Sequence, residues 1–106
     1  MSRQDVRALK PTEVVMALSQ LTGWVFFGDG EHIAIEKSFE FQTHVQTLLF
    51  VNSVGWLSEQ LNHHPELVVN HARCVVRWRT HDVKGLSALD FEAAEKTDGL
   101  VPHVPS

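Results

Sequence analysis

The sequence predicts an α+β fold: a four-stranded antiparallel sheet with helices on one face, in the order α-β-β-α-β-β-α. Segments with apolar residues at helical spacing alternate with pairs of short segments rich in β-branched and aromatic residues. A short turn joins the two members of each pair, which is typical of a β-hairpin. Because hairpins separated by helices pair into an antiparallel sheet, this pattern favours the α+β class. The length of 106 residues suits one domain, residues 1–106.

The chain begins with Met1–Leu9, a polar segment without hydrophobic periodicity, which is predicted to be a frayed tail. Pro11 favours the first turn of a helix, where its missing N–H costs no hydrogen bond. Apolar residues recur at helical spacing up to Gly23, which is expected to end the helix. Strands at Trp24–Phe27 and His32–Lys37 are predicted to form the first hairpin around a glycine-containing turn.

A long helix is predicted from about Gln42 to Leu61, a segment without proline. About 20 residues at about 1.5 Å each give a helix of roughly 30 Å. Its apolar residues cover more than one stripe, although a helix on a sheet needs only one apolar face. The surplus predicts a second contact, with another subunit, to which Phe50 is expected to point. The apolar residues are Val45, Leu48, Leu49, Phe50, Val51, Val54, Trp56, Leu57 and Leu61.

The second half of the chain begins where His63–Pro65 ends the long helix, because a residue before proline avoids the helical region. Leu67–Val69 and Cys74–Arg79 are predicted to form the second hairpin. A last helix is expected to begin after Ser87, its N-cap, and to end at about Asp98. The tail Val101–Ser106 contains two prolines and is expected to be loose.

The composition excludes several classes of function. A formal net charge of −4 argues against a nucleic-acid partner held by lysine and arginine. A single cysteine, Cys74, forms no intrachain disulfide and no thiolate-rich zinc site. The first residues lack the apolar region of a signal peptide, and no apolar run approaches the length of a membrane span. We therefore expect a cytoplasmic protein without a nucleic-acid or membrane partner.

Histidines mark the candidate site. The chain has seven histidines and no tyrosine, and imidazoles titrate near neutral pH. His63 and His64 lie at the junction between a predicted helix and a strand, and His81 follows a predicted strand. If the strands flank the end of the helix, the three imidazoles meet at one rim of the sheet. With Glu59 one turn earlier to orient an imidazole, such a cluster suits proton transfer.

Simpler interpretations of the same residues stay open. A histidine at a helix end is often a cap or a solvated group, and Glu59 alone would face solvent. Asp90 is expected to cap the last helix. Three histidines can hold zinc with one open position, but adjacent histidines on an extended segment tend to point apart. We therefore predict no metal site. Cys74 lies in a predicted strand and is interpreted as a packed thiol.

The spacing of these residues resembles a known signature. Glu59-x3-His63-His64-Pro65, followed by Thr80-His81 and Asp90, resembles the motif of the pterin-4a-carbinolamine dehydratase family. The resemblance covers about residues 10–98, the expected core of the domain. It implies the fold predicted above and assembly into dimers or tetramers. Further landmarks agree: Trp24, Phe39-x-Phe41 and Gly85-Leu86.

The resemblance also implies an activity. The family dehydrates 4a-hydroxytetrahydropterin to quinonoid dihydropterin, which recycles the cofactor of aromatic amino acid hydroxylases. It implies a pterin substrate, a hydroxylase as a pathway partner, and neither a metal nor an organic cofactor. His63 and His81 would be the acid–base pair, and His64 would orient the pterin. The remaining implied site residues are Glu59 and Thr80, which bind substrate, and Asn62, Pro65 and Asp90, which support the cluster.

Two departures from the family pattern keep a second function open. His71 stands where an aromatic residue is expected, six positions after the proline, and Leu67 stands where many members have tryptophan. Some relatives have no catalytic role: one group assists RuBisCO assembly, and animal members dimerise a homeodomain transcription factor. The alternative is therefore a non-catalytic scaffold or assembly factor with the same fold.

Overall fold

The protein, seen in a computed structural model that describes residues 6–105, has the predicted order of elements. Helices and strands alternate as α-β-β-α-β-β-α, with short 3-10 turns between some of them. The elements are α1 (Pro11–Ser19), β1 (Val25–Phe27), β2 (Ala34–Glu40), α2 (His44–Leu61), β3 (Glu66–Val69), β4 (Arg73–Trp78) and α3 (Ala88–Asp98). The predicted fold class is confirmed.

The four strands form one antiparallel sheet in the order β1-β2-β4-β3. In the register, Glu36 of β2 lies opposite Arg77 of β4, and Arg77 lies opposite Glu66 of β3. Strand β2 starts two residues later than predicted, because Gly30–His32 forms a 3-10 turn. At its other end the strand extends beyond the predicted Lys37 to Glu40. Gly30 has a φ of 55°, in the left-handed region that suits glycine.

One face of the sheet packs against the helices and carries the core. Along β4 the burial alternates, so that Cys74, Val76 and Trp78 are buried between more exposed neighbours. These side chains join residues of α2 and α3 in a single cluster. No helix of residues 6–105 covers the opposite face, which we call the open face. It carries Glu36, Glu66 and Arg77.

Helix α2 does not present Phe50 to a partner, which corrects the sequence-based expectation. Phe50 is fully buried, with its ring centroid 4.7 Å from that of Phe39 and 5.2 Å from that of Phe41. Apolar side chains that remain exposed on α2 are Val45, Leu48, Leu49 and Trp56. The expected surplus of apolar surface is therefore present, on other residues than Phe50.

Both ends of the described chain are held by hydrogen bonds. The predicted tail Met1–Leu9 lies partly outside the described residues, but the backbone N–H of Leu9 donates to Leu86 O at 2.9 Å. Near the C-terminus, Val101–His103 forms a 3-10 turn and Val104 packs against the core. Gln46 Nε2 donates to Pro105 O at 3.0 Å. The prediction of a loose C-terminal tail is therefore wrong for this segment.

None of the helices within residues 6–105 has the length and apolar character needed to cross a membrane.

Candidate active site

The end of α2 separates the two adjacent histidines. Asn62 caps the helix in the left-handed conformation, with φ 50° and ψ 43°, which asparagine tolerates better than most residues. The backbone N–H of His63 then donates to Ser58 O at 3.1 Å. His63 is turned into the protein and is 4% exposed, whereas the side chain of His64 is 59% exposed. Their opposite directions agree with the expectation for adjacent histidines.

His63 belongs to a buried polar cluster centred on Asp90. His63 Nε2 lies 2.7 Å from Asp90 Oδ1, and Asp90 is fully buried. Asp90 Oδ2 accepts hydrogen bonds from Thr80 Oγ1 at 2.8 Å and from the Ser87 backbone N–H at 3.0 Å. Because an ionised carboxylate only accepts hydrogen bonds, Nε2 carries the proton in this arrangement. The His63 ring also stacks on Trp78, with centroids 5.4 Å apart.

The same cluster starts helix α3. Ser87 is the N-cap, and its hydroxyl accepts from the backbone N–H of Leu89 at 3.3 Å. Asp90 takes the place of the usual glutamate or glutamine in the capping box. The expected capping role of Asp90 is therefore confirmed, and the same carboxylate also holds His63 and Thr80.

A cavity of about 300 Å³ opens beside this cluster, on the open face of the sheet. Because Glu66 lies opposite Arg77, the chain enters β3 and leaves β4 at the same end of this strand pair. This register brings His64 and His81 to one cavity, which we call the cleft. The residues that line the cleft are His64, Pro65, Glu66, Arg77, Arg79 and His81.

The structure divides the predicted site residues into two groups. His64, Pro65 and His81 line the cleft. Glu59 does not line the cleft, but its Oε1 lies 3.7 Å from His64 Nε2, with both side chains largely exposed. The other group is buried and consists of His63, Thr80 and Asp90. His63 and Thr80 directly precede His64 and His81 in the sequence. Asn62 contributes as the residue that ends α2.

Sequence reasoning missed three charged residues of the cleft: Glu66, Arg77 and Arg79. Arg77 is held by two carboxylates, with Nε 2.7 Å from Glu36 Oε2 and Nη1 3.2 Å from Glu66 Oε1. Its guanidinium carbon lies 3.7 Å from the centroid of the Phe27 ring. The hydrogen bond to Glu36 is the main reason why the pKa of Arg77 is raised. The alternation around Trp78 could have revealed these arginines, since it places both of them on the open face.

The residues at the two departures from the family motif lie away from the cleft lining. The His71 ring stacks on His44 with centroids 5.4 Å apart and planes 7° from parallel. Leu67 is half-buried against the core. Within residues 6–105, no three side chains of histidine, cysteine, aspartate or glutamate are grouped so that they could hold one metal ion.

Comparison with known structures defines the class of fold. A crystal structure described as a transcriptional coactivator/pterin dehydratase from Brucella melitensis matches with a TM-score of 0.83 and 30% identity, covering 90% of this chain and 99% of that chain. A pterin dehydratase-like protein described as a RuBisCO assembly factor of the alpha-carboxysome matches with a TM-score of 0.60 and 21% identity, covering 74% and 89% of the two chains. At that identity the second match shows the fold alone. The chain is thus an α+β protein of the pterin dehydratase fold.

Sequence comparison defines the family. A profile described as Pterin 4 alpha carbinolamine dehydratase matches residues 7–100. A Paracidovorax citrulli protein, provisionally named as a pterin-4-alpha-carbinolamine dehydratase, is 48% identical over 95 residues, which are 90% of this chain and 82% of that protein. A Bdellovibrio bacteriovorus protein of the same provisional name is 44% identical over 98 residues, covering 89% and 78%. The chain belongs to the pterin-4-alpha-carbinolamine dehydratase family, as its motif indicated.

Proposed function

We propose that this chain is a hydro-lyase of the 4a-hydroxytetrahydrobiopterin dehydratase class, which converts a 4a-hydroxytetrahydropterin into quinonoid dihydropterin. The observation that carries the proposal is the pair of imidazoles, His64 and His81, that line one cleft of about 300 Å³. This volume lies at the lower end of the range for small-molecule sites, about 300–1,000 Å³. It suits a small bicyclic ring system.

The reaction needs one proton donor and one proton acceptor. The C4a–O bond breaks as an acid protonates the hydroxyl group, which leaves as water. A base removes a proton from the adjacent ring nitrogen, and its electron pair forms the new C=N bond. Imidazoles can perform both steps because their protonated and neutral forms are both available near neutral pH. In this proposal His64 and His81 perform these two steps, and Glu59 orients the His64 imidazole from 3.7 Å.

The proposed role of His63 differs from the one inferred from the sequence motif. Its Nε2 is engaged by Asp90, its ring is stacked on Trp78, and the residue is 4% exposed. We therefore assign His63 as a positioning residue that fixes the backbone leading to His64. Thr80, bonded to Asp90 as well, fixes the backbone leading to His81 in the same way. In this assignment His64, and not His63, exchanges a proton with the substrate.

The wider setting follows from the proposed reaction. The quinonoid product would be reduced to regenerate the cofactor of an aromatic amino acid hydroxylase in the cytoplasm.

The exposed apolar residues Leu48, Leu49 and Trp56 of α2 support assembly into a homodimer or homotetramer.

The proposal is tested by replacing the cleft histidines singly with glutamine. His64→Gln and His81→Gln are each expected to lower turnover by about 10²–10⁴-fold, the usual contribution of a positioned acid or base. The double variant should lose less than the product of the two single losses, because the residues act as a unit. Quinonoid dihydropterin formation is followed by absorbance, and circular dichroism confirms folding.

His103→Gln is the matched control, since His103 is an exposed histidine in the C-terminal 3-10 turn and does not line the cleft. It is expected to retain wild-type turnover. If the two folded cleft variants also retain wild-type turnover, the assignment is wrong and the scaffold function becomes the better explanation.

A further inference from the structure

Arg79 is a cation of the cleft that no carboxylate of residues 6–105 contacts. The residue is half-buried and lines the cleft together with His64 and His81. No residue within 6–105 gives its guanidinium a hydrogen bond or an ion pair, whereas Arg77, two residues earlier on the same face, has both Glu36 and Glu66. A guanidinium carries five N–H donors in a fixed plane. The donors of Arg79 therefore remain available inside a concave site.

The pairing of the neighbouring carboxylates strengthens this observation. Its lining contains two arginines and one carboxylate, that of Glu66. Glu36 and Glu66 both contact Arg77, so these four charges sum to zero, but within residues 6–105 no carboxylate pairs with Arg79. A guanidinium in a concave site that lacks a carboxylate partner favours an anionic ligand, because it fits a carboxylate or a phosphate through two parallel hydrogen bonds.

We propose that the cleft takes a pterin whose ring substituent carries an anionic group, and that Arg79 binds this group. The inference rests on the proposed function only in placing the pterin ring beside His64 and His81. The shared chemistry is a carboxylate or phosphate oxygen pair. A cavity of about 300 Å³ leaves room for a short substituent beyond the bicyclic ring.

The test measures discrimination between matched pterins that cannot react. Three fluorescent probes, pterin-6-carboxylate, 6-hydroxymethylpterin and the phosphate ester of the latter, are titrated against the wild-type protein and Arg79→Gln. The wild type is expected to bind an anionic probe about 10–100-fold more tightly than the neutral one, the usual contribution of a hydrogen bond to a charged group. In Arg79→Gln this ratio is expected to fall to about one. The anion with the larger ratio identifies the group that Arg79 binds.

Arg73→Gln is the matched control for charge. Arg73 is the first residue of β4, which ends directly before Arg79; it lies on the same face, is exposed, and does not line the cleft. It is six residues from Arg79, or about 20 Å along an extended strand. Arg73→Gln is expected to keep the wild-type ratio. Arg79→Lys, which keeps the charge but loses the planar pair of donors, should give an intermediate ratio.

Any of three results would overturn the inference. The wild type could bind all three probes equally, it could bind none of them, or Arg79→Gln could weaken all three by the same factor, as a contact to the ring itself would. Turnover of a neutral 4a-hydroxytetrahydropterin, measured on the same preparations, separates this inference from the proposed function. Turnover without discrimination between the probes would contradict the anion site but support the proposed dehydratase activity. Discrimination without turnover supports the anion site and contradicts the dehydratase.

Discussion

Replacing Asp90 with alanine should destabilise the protein more than other substitutions on α3, because one carboxylate satisfies three buried donors. These donors are His63 Nε2, Thr80 Oγ1 and the Ser87 backbone N–H, at 2.7, 2.8 and 3.0 Å. Each buried donor left without a partner costs about 1–3 kcal/mol. Thr80 and Ser87 can still bond to each other through their hydroxyls, which lie 2.7 Å apart. We therefore expect a loss of about 3–5 kcal/mol, as for other buried pairs that lose one partner.

Asp90→Asn should cost less, and the difference tests the geometry of the cluster. The amide oxygen can still accept from Thr80 and Ser87, and the amide nitrogen can donate to His63 Nε2 once the imidazole adopts its other neutral tautomer. We expect a loss of about 1–2 kcal/mol, one altered hydrogen bond in place of three lost ones.

Urea unfolding followed by tryptophan fluorescence gives both values, because Trp78 stacks on His63 within this cluster. Glu92→Ala is the control on the same helix. Glu92 lies 3.9 Å from Lys96 in a half-exposed pair one turn apart, whose loss costs at most about 0.5 kcal/mol. An Asp90→Ala variant within about 1 kcal/mol of the wild type would refute the reasoning, since even one unpaired buried donor costs that much.

Three further predictions concern other parts of the molecule. Light scattering should show a dimer or tetramer, and Trp56→Lys, at a side chain that is 69% exposed, should shift it toward the 12.0 kDa monomer; a wild-type monomer at micromolar concentration would contradict this. His71→Tyr should leave pterin affinity within about twofold, since His71 stacks on His44 outside the cleft lining, and tighter binding would show that the hairpin end reaches the ligand. Burial raises the pKa of the Cys74 thiol to about 11, so an aromatic disulfide reagent at pH 8 should modify it only after unfolding, and rapid modification of the native protein would contradict its burial.

The order of elements could be predicted because its signals are local. The end of α2 before His63–Pro65, the capping box at Ser87 and the turns of the hairpins each depend on a few neighbouring residues. The position of Phe50 could not be predicted in this way. Apolar residues cover more than one stripe of α2, and only packing against Phe39 and Phe41 decides which stripe faces the sheet.

The site was predictable as a set of residues but not as a set of roles. The motif includes His63, His64 and His81, but it does not say which of two adjacent histidines faces the cleft. That choice depends on the left-handed conformation of Asn62 and on the partner that Asp90 offers to His63. Arg79 escaped attention because no motif contains it. Its importance comes from strand register and from the absence of a described counter-charge, and both are properties of the folded chain.

The central claim is that this chain dehydrates a pterin carbinolamine, and the formation of quinonoid dihydropterin by the wild-type protein tests it most directly. The 4a-hydroxytetrahydropterin is generated in a rapid-mixing instrument, and product absorbance is followed with and without the purified protein. The account predicts a rate that rises in proportion to protein concentration and exceeds the buffer rate by at least about 10²-fold, as a positioned acid and base would provide. A folded protein that leaves the buffer rate unchanged at any concentration would contradict the account.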